Sequence, residues 1–195
     1  LTQKADMEHL RALLRKERPA VRMLINCSGY GIMGQFSEID SREQSGMIDL
    51  NCRALTEITH ACLPYMKKNS RIIQLASSAA FLPQPGFAVY AASKSYVLSF
   101  SRALSEELRT RKIYVTAVCP GPVQTEFFDR AEKYAATLAI KKYTMVTPQS
   151  VVRAALTASA RKCPLSTYSP LIKAFRLLAK VIPHTLILKA MRLVK

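Results

Sequence analysis

The sequence predicts an α/β fold built on a doubly wound parallel sheet, and two observations carry that prediction. Three short, predominantly apolar runs, Val21–Asn26, Arg71–Ala76 and Ile113–Val118, suit strands buried on both faces, as in a parallel sheet. Segments of helical periodicity separate them, which is the order of βαβ units.

The elements follow in chain order. Residues 3–18 read as a helix with Met7, Leu10, Leu13 and Leu14 as its apolar stripe. Strand Val21–Asn26 breaks at the small turn Cys27-Ser28-Gly29. Ser41-x-x-Gln44 has the form of a capping box; it opens a long helix to about Met66 with Asn51 in its interior. Strand Arg71–Ala76 ends in the hydroxyls of Ser77 and Ser78. The run Phe81-Leu82-Pro83-Gln84-Pro85-Gly86 is a loop, because two prolines and a glycine continue neither neighbour. A helix from about Tyr90 to Arg109 packs through Val97, Leu98, Ser101, Leu104 and Leu108. Strand Ile113–Val118 runs into the turn Pro120-Gly121-Pro122-Val123-Gln124-Thr125. Thr147-Pro148 starts a helix through about Ser159, with threonine as cap and proline at the first helical position. No internal repeat is present.

Composition narrows the function classes. A chain of 195 residues suits one domain, and 49% hydrophobic residues exclude a disordered or collagen-like class. No apolar run reaches the ~18–20 residues of a membrane span, and the polar start Leu1-Thr2-Gln3-Lys4 does not read as a leader. The five cysteines are scattered and only three histidines accompany them. That pattern favours neither a disulfide framework nor a metal site; it favours reduced thiols and a cytoplasmic setting. Cys27 and Cys119 sit at strand ends and read as small core residues.

One pair of residues points to chemistry. Tyr90 and Lys94 in Tyr-Ala-Ala-Ser-Lys stand four apart, which places a phenol and an ammonium on one helix face. A free tyrosine titrates near ~10, and a cation within about 4–6 Å lowers that by roughly 1–3 units. A phenol tuned in this way can exchange a proton with an alcohol or carbonyl oxygen. The spacing alone is common, so its surroundings decide.

Those surroundings are Asn26-Cys27-Ser28-Gly29, Asn51 in Asp-Leu-Asn-Cys, Ser77 thirteen residues before Tyr90, and the Pro120-Gly121 turn. Their order and spacing from about residue 20 to residue 130 resemble the short-chain dehydrogenase/reductase family, with Cys27 and Ser28 departing from its N-N-A-G turn. The resemblance implies a Rossmann-like sheet and an NAD(P)-dependent oxidoreductase interconverting a secondary alcohol and a ketone. It implies Tyr90 as acid/base, with Lys94 lowering its pKa and binding the nicotinamide ribose. Ser77, rather than the adjacent Ser78, would hydrogen-bond the substrate oxygen. Asn51 would anchor a water linking the lysine to solvent, against the alternative of an asparagine satisfying a local helix kink. Asn26 and Gly29 would border the adenosine side of the cofactor. Pro120, Gly121, Val123 and Thr125 match the turn that holds its carboxamide and phosphates. The implied cofactor is NADP or NAD, with NADP preferred, and the implied assembly is a homodimer or homotetramer. Val89, the Phe81–Phe87 loop and the segment bearing Phe127, Phe128, Tyr134, Leu138 and Tyr143 would shape a pocket for an apolar substrate, or belong to the core.

One family element is missing. Its T-G-x-x-x-G-x-G turn, which offers backbone N–H groups to a pyrophosphate, has no counterpart; Gly29-Tyr30-Gly31-Ile32-Met33-Gly34 lies in the later turn. Leu1-Thr2 resembles the end of a D-L-T or D-V-T segment, so the expectation is a chain without the N-terminal βαβα portion and inactive alone. A non-catalytic dinucleotide-binding or membrane-surface scaffold is the alternative, disfavoured by the complete Ser/Tyr/Lys/Asn set. A sugar-nucleotide epimerase is disfavoured by the short run after the tyrosine.

Charge is the last signal. The net charge is +16, and residues 133–195 hold twelve Lys/Arg with no acid after Glu132. Residues 169–195 read as a basic amphipathic helical tail, with Leu171, Phe175, Leu178 and Ile182 opposite Lys173, Arg176 and Lys180, and with Lys189, Arg192 and Lys195 beyond Pro183. Such a tail can lie on an anionic membrane surface or pack on its own domain or another subunit. Nucleic acid is not indicated, because no aromatic stacking platform accompanies the charge.

Overall fold

Parallel strands need helical crossovers, and the chain supplies one between each pair of long strands. In the computed structural model, which describes residues 1–135 and 145–193, α1 (Lys4–Glu17) leads into β1 (Val21–Asn26). The crossover to β2 (Met66–Leu75) passes through α2 (Ser41–Ile48) and α3 (Leu55–Cys62); α4 (Ala88–Glu107) connects β2 to β3 (Tyr114–Val118). Then come α5 (Phe127–Ala131), α6 (Pro148–Ala160), the short β4 (Leu165–Ser166), α7 (Pro170–Val181) and α8 (His184–Leu193). The described sheet has four strands in the order β1-β2-β3-β4, each pair parallel. The predicted α/β class with a parallel sheet is therefore the observed one.

Three details depart from the sequence reading. The long helix expected over 42–66 is interrupted by a π-helical turn at Asp49–Ala54 and ends in a 3-10 turn at Leu63–Tyr65, where Pro64 stops it. The strand expected from Arg71 begins at Met66, but its pairing jumps from Val21↔Met66 to Met23↔Arg71. Asn69 takes up the slack at φ 70°, a left-handed conformation that asparagine tolerates. The third departure is β1, expected to be buried on both faces. It is the edge strand, and Met23 and Ile25 are 42% and 50% exposed, because no described element covers that part of the sheet. Cys27 just beyond it is also exposed, whereas Cys119 at the end of β3 is buried as expected.

The central elements behave as the pattern requires. Val115 to Val118 in β3 are all buried, as a strand flanked on both sides must be. Helix α4 turns Tyr90, Lys94, Val97, Ser101 and Leu104 inward, the i, i+4, i+7 stripe of a helix lying on a sheet. Val97, with no exposed surface, contributes about 1.5–3 kcal/mol by burial. The same stripe carries a phenol and an amine, so helix packing and site placement have one cause.

Candidate active site

Strand ends and one helix face converge on a cavity of about 670 Å³. Cys27 and Gly29 reach it from the end of β1, Ser77 and Ser78 from β2, Tyr90 and Lys94 from α4, and Pro120, Gly121, Val123 and Thr125 from β3. Parallel strands point their carboxyl ends the same way, which brings residues distant in sequence to one rim.

Tyr90 lies between aromatic rings, stacked on Phe87 at 4.2 Å and tilted against Phe127 at 5.4 Å between centroids. Burial pushes its phenol up to about 12, while a hydrogen bond from Ser77 pulls the other way. The Ser77 hydroxyl also accepts from Ala79 N at 3.1 Å, which fixes its rotamer at the start of a 3-10 turn (Ser78–Phe81). Ser78 lines the cavity too, but it is the Ser77 side chain that acts on the phenol.

Lys94 is 4% exposed. Its ammonium donates to Leu75 O at 2.8 Å and lies 5.7 Å from the Tyr90 ring centroid. Burial lowers its pKa to about 8. Loss of water raises the phenol and lowers the amine together, so in this cavity the Tyr90 phenol stands above its ordinary value. Both groups are shifted toward neutrality.

Asn51 occupies the π-helical turn and has no exposed surface. Its Oδ1 accepts from Tyr30 N at 3.1 Å, and its Nδ2 donates to Tyr30 O at 2.9 Å and Ser93 Oγ at 3.0 Å. The side chain thus clamps the turn after β1 onto α4 from behind the cavity, and it does not line the cavity itself. A Cβ on Gly29 would stand 2.8 Å from Asn51 Oδ1 and 3.1 Å from Lys94 Nζ, so the turn approaches the pair closely only because position 29 lacks a side chain.

A family model described as short chain dehydrogenase matches residues 1–135. The chain belongs to the short-chain dehydrogenase family. Sulfoacetaldehyde reductase 2 of Chromohalobacter salexigens is 36% identical over 111 residues, covering 55% of this chain and 44% of that protein. The chain spans about half the length of the curated relatives it matches. Among solved structures, a short-chain dehydrogenase from Sphingobium yanoikuyae in complex with NADPH aligns with TM-score 0.75 and 28% identity, covering 94% of this chain and 74% of that one. A bulky-bulky ketone specific alcohol dehydrogenase from Comamonas testosteroni aligns with TM-score 0.70 and 25% identity, covering 94% and 72%.

Not every expected residue reaches the cavity. Asn26 does not: its amide donates to Thr59 Oγ1 and Gln74 Oε1, both at 2.9 Å, inside a buried polar network that ties β1 to α3 and β2. Val89 is partly buried against the core cluster that contains Tyr90, and Phe81 is tilted against Phe175 at 6.2 Å; neither lines the cavity, whereas Gln84 and Phe87 of the same loop do. Phe127 and Phe128 do, while Leu138 and Tyr143 lie outside the described residues.

Sequence reading missed the far wall. Leu171, Ile172 and Phe175 of α7 line the cavity, and a Cβ on Gly121 would meet Ile172 Cδ1 at 2.9 Å. The tail's charge pattern carries no sign of this contact; only the glycine at position 121 hints that another chain segment lies against that turn.

The residues present fit one end of a nicotinamide dinucleotide. Hydroxyls of Ser77 and Thr125, one amine and a largely apolar wall suit a ribose and a flat carboxamide ring. Among the described lining residues Lys94 is the only charged one, so this rim lacks the cationic or glycine-rich cradle that a pyrophosphate requires.

Proposed function

We propose that the protein is an NAD(P)-dependent oxidoreductase that interconverts a secondary alcohol and a ketone on an apolar substrate. The observation that carries this reading is the meeting of Ser77, Tyr90 and Lys94 at one apolar cavity. Lys94, Gly29 and the Pro120–Thr125 turn would hold the nicotinamide end of the cofactor, which supplies the hydride when bound. NADP is the preferred form, supported by the relative of 28% identity in complex with NADPH.

The chain's own residues account for the proton. A phenol raised to about 12 stays protonated at neutral pH, which suits a donor to a carbonyl oxygen as it gains negative charge. Ser77, already bonded to that phenol, can hydrogen-bond the same oxygen where charge develops. Phe87, Phe127 and Phe128 exclude water from the transfer and favour an apolar substrate over a charged one.

The test is turnover of the intact protein with NADPH and NADH over a panel of apolar ketones. Tyr90→Phe removes the proton and is expected to lower kcat by ~10²–10⁴-fold, with cofactor binding retained in a fluorescence titration. Wild-type turnover by Tyr90→Phe would remove Tyr90 from the acid/base role. Tight cofactor binding with no turnover over the whole panel would favour the non-catalytic scaffold.

A further inference from the structure

Helix α7 divides its surface three ways. Ile172 and Phe175 turn toward the cavity and Ala179 is 6% exposed. Leu171 lines the cavity mouth as well, while Leu177, Leu178 and Val181 are 63%, 54% and 71% exposed and form an apolar arc on the other side. Lys173, Arg176 and Lys180 recur at helical spacing and make a basic stripe beside that arc. After Pro183, α8 continues the character with Leu186 exposed at 55% and Lys189 beside it. So the helix packs on its own domain and still leaves a second apolar face uncovered.

Charge decides what suits that face. No acidic residue occurs between positions 133 and 195, so its basic rim is unopposed within the tail. A second copy laid against the same face would bring like charge to like charge. Nucleic acid would satisfy the lysines but give three exposed leucine and valine side chains nothing to bury against. An anionic bilayer answers both needs, with apolar side chains at the acyl boundary and cations at headgroup level. No described helix is long and apolar enough to cross a membrane, so the geometry is in-plane.

We propose that the helices Pro170–Val181 and His184–Leu193 dock the protein peripherally on an anionic lipid bilayer. Leu177, Leu178 and Val181 enter the acyl boundary, and Lys173, Arg176 and Lys180 meet lipid phosphates. The docking stands independently of the oxidoreductase reading.

The experiment is co-sedimentation of the intact protein with vesicles of phosphatidylcholine alone and of phosphatidylcholine with phosphatidylserine. Binding is expected to the phosphatidylserine vesicles and to fall as salt rises. The variant K173Q/R176Q/K180Q is expected to bind on the order of 100-fold more weakly, at ~1 kcal/mol per basic residue near the surface. The variant L177S/L178S is expected to lose binding with an unchanged far-ultraviolet circular dichroism spectrum, because both side chains are exposed in the fold. Equal binding to neutral vesicles, or binding by both variants at the wild-type level, overturns the proposal. Wild-type binding that ignores salt overturns it without any substitution. A wild type that dimerises in sedimentation while L177S/L178S does not would place a second copy on the face, and also overturns it.

Discussion

Replacing Lys94 by methionine separates two effects that the structure combines. Methionine keeps most of the side-chain volume but removes the ammonium, which is 4% exposed and bonded to Leu75 O at 2.8 Å. The lost hydrogen bond leaves a carbonyl without that partner and costs about 1–3 kcal/mol at every pH. The charge contributes a second, pH-dependent part. The folded pKa is lowered from 10.5 to about 8 by burial, and at 1.36 kcal/mol per pH unit that fall corresponds to roughly 3 kcal/mol. Below pH 8 the lysine is charged both folded and unfolded, and burial of the charge opposes folding. Between 8 and 10.5 the unfolded chain binds more protons than the folded one, so stability rises with pH. Above 10.5 the amine is neutral in both states and the opposition is gone. Urea denaturation of wild type and Lys94→Met across that window is the assay. The wild type is expected to gain roughly 3 kcal/mol on the variant as pH rises from 8 to 10.5. A difference that stays flat across the window, or shrinks, would refute the claim that Lys94 is held in a desolvated site.

Other perturbations test neighbouring parts of the site. Gly29→Ala places a Cβ 2.8 Å from Asn51 Oδ1 and is expected to cost about 1–3 kcal/mol, seen as a lower urea midpoint; a wild-type midpoint would mean the turn yields freely. Asn51→Ala removes the bonds to Tyr30 and Ser93 and should cost roughly 2–4 kcal/mol from unsatisfied partners, with an equal cost in Asn51→Leu showing that the amide matters rather than the volume. Ser77→Ala is expected to lower kcat by ~10–10³-fold while Ser78→Ala leaves it nearly unchanged, and the reverse ranking would exchange their roles. Phe175→Ala enlarges the cavity wall and is expected to lower KM for bulkier ketones relative to smaller ones, a ratio that stays constant if α7 plays no part in selection.

What could be read in the sequence was whatever depends on local spacing. The i, i+4 relation of Tyr90 and Lys94, the three apolar strands and the Pro120-Gly121 turn are set by helix and strand periods, so the fold class and the core of the site followed from the chain alone. Asn51 was legible as a site residue or as an asparagine serving a local helix kink; it lies in a π-helical turn, and its amide bonds Tyr30 and Ser93 from other elements rather than its own helix. Edge and centre were not legible, because Val21–Asn26 has the same composition whether or not a neighbour covers it, and the described sheet leaves Met23 and Ile25 exposed.

Tertiary structure alone decided the rest, for reasons of burial and distance. The sign of the Tyr90 shift is one case: spacing predicts a cation beside a phenol, but only packing fixes how much water each loses, and here desolvation is the largest cause for both groups. The orientation of Asn26 is another, since its backbone sits at a strand end while its amide turns into the Thr59–Gln74 network. The use of the basic tail is the third. Its periodicity announced two faces, and only folding showed that Ile172 and Phe175 wall the cavity while Leu177 and Val181 remain in water. Spacing along a chain sets which side chains share a face; what that face meets is a long-range fact that no local pattern contains.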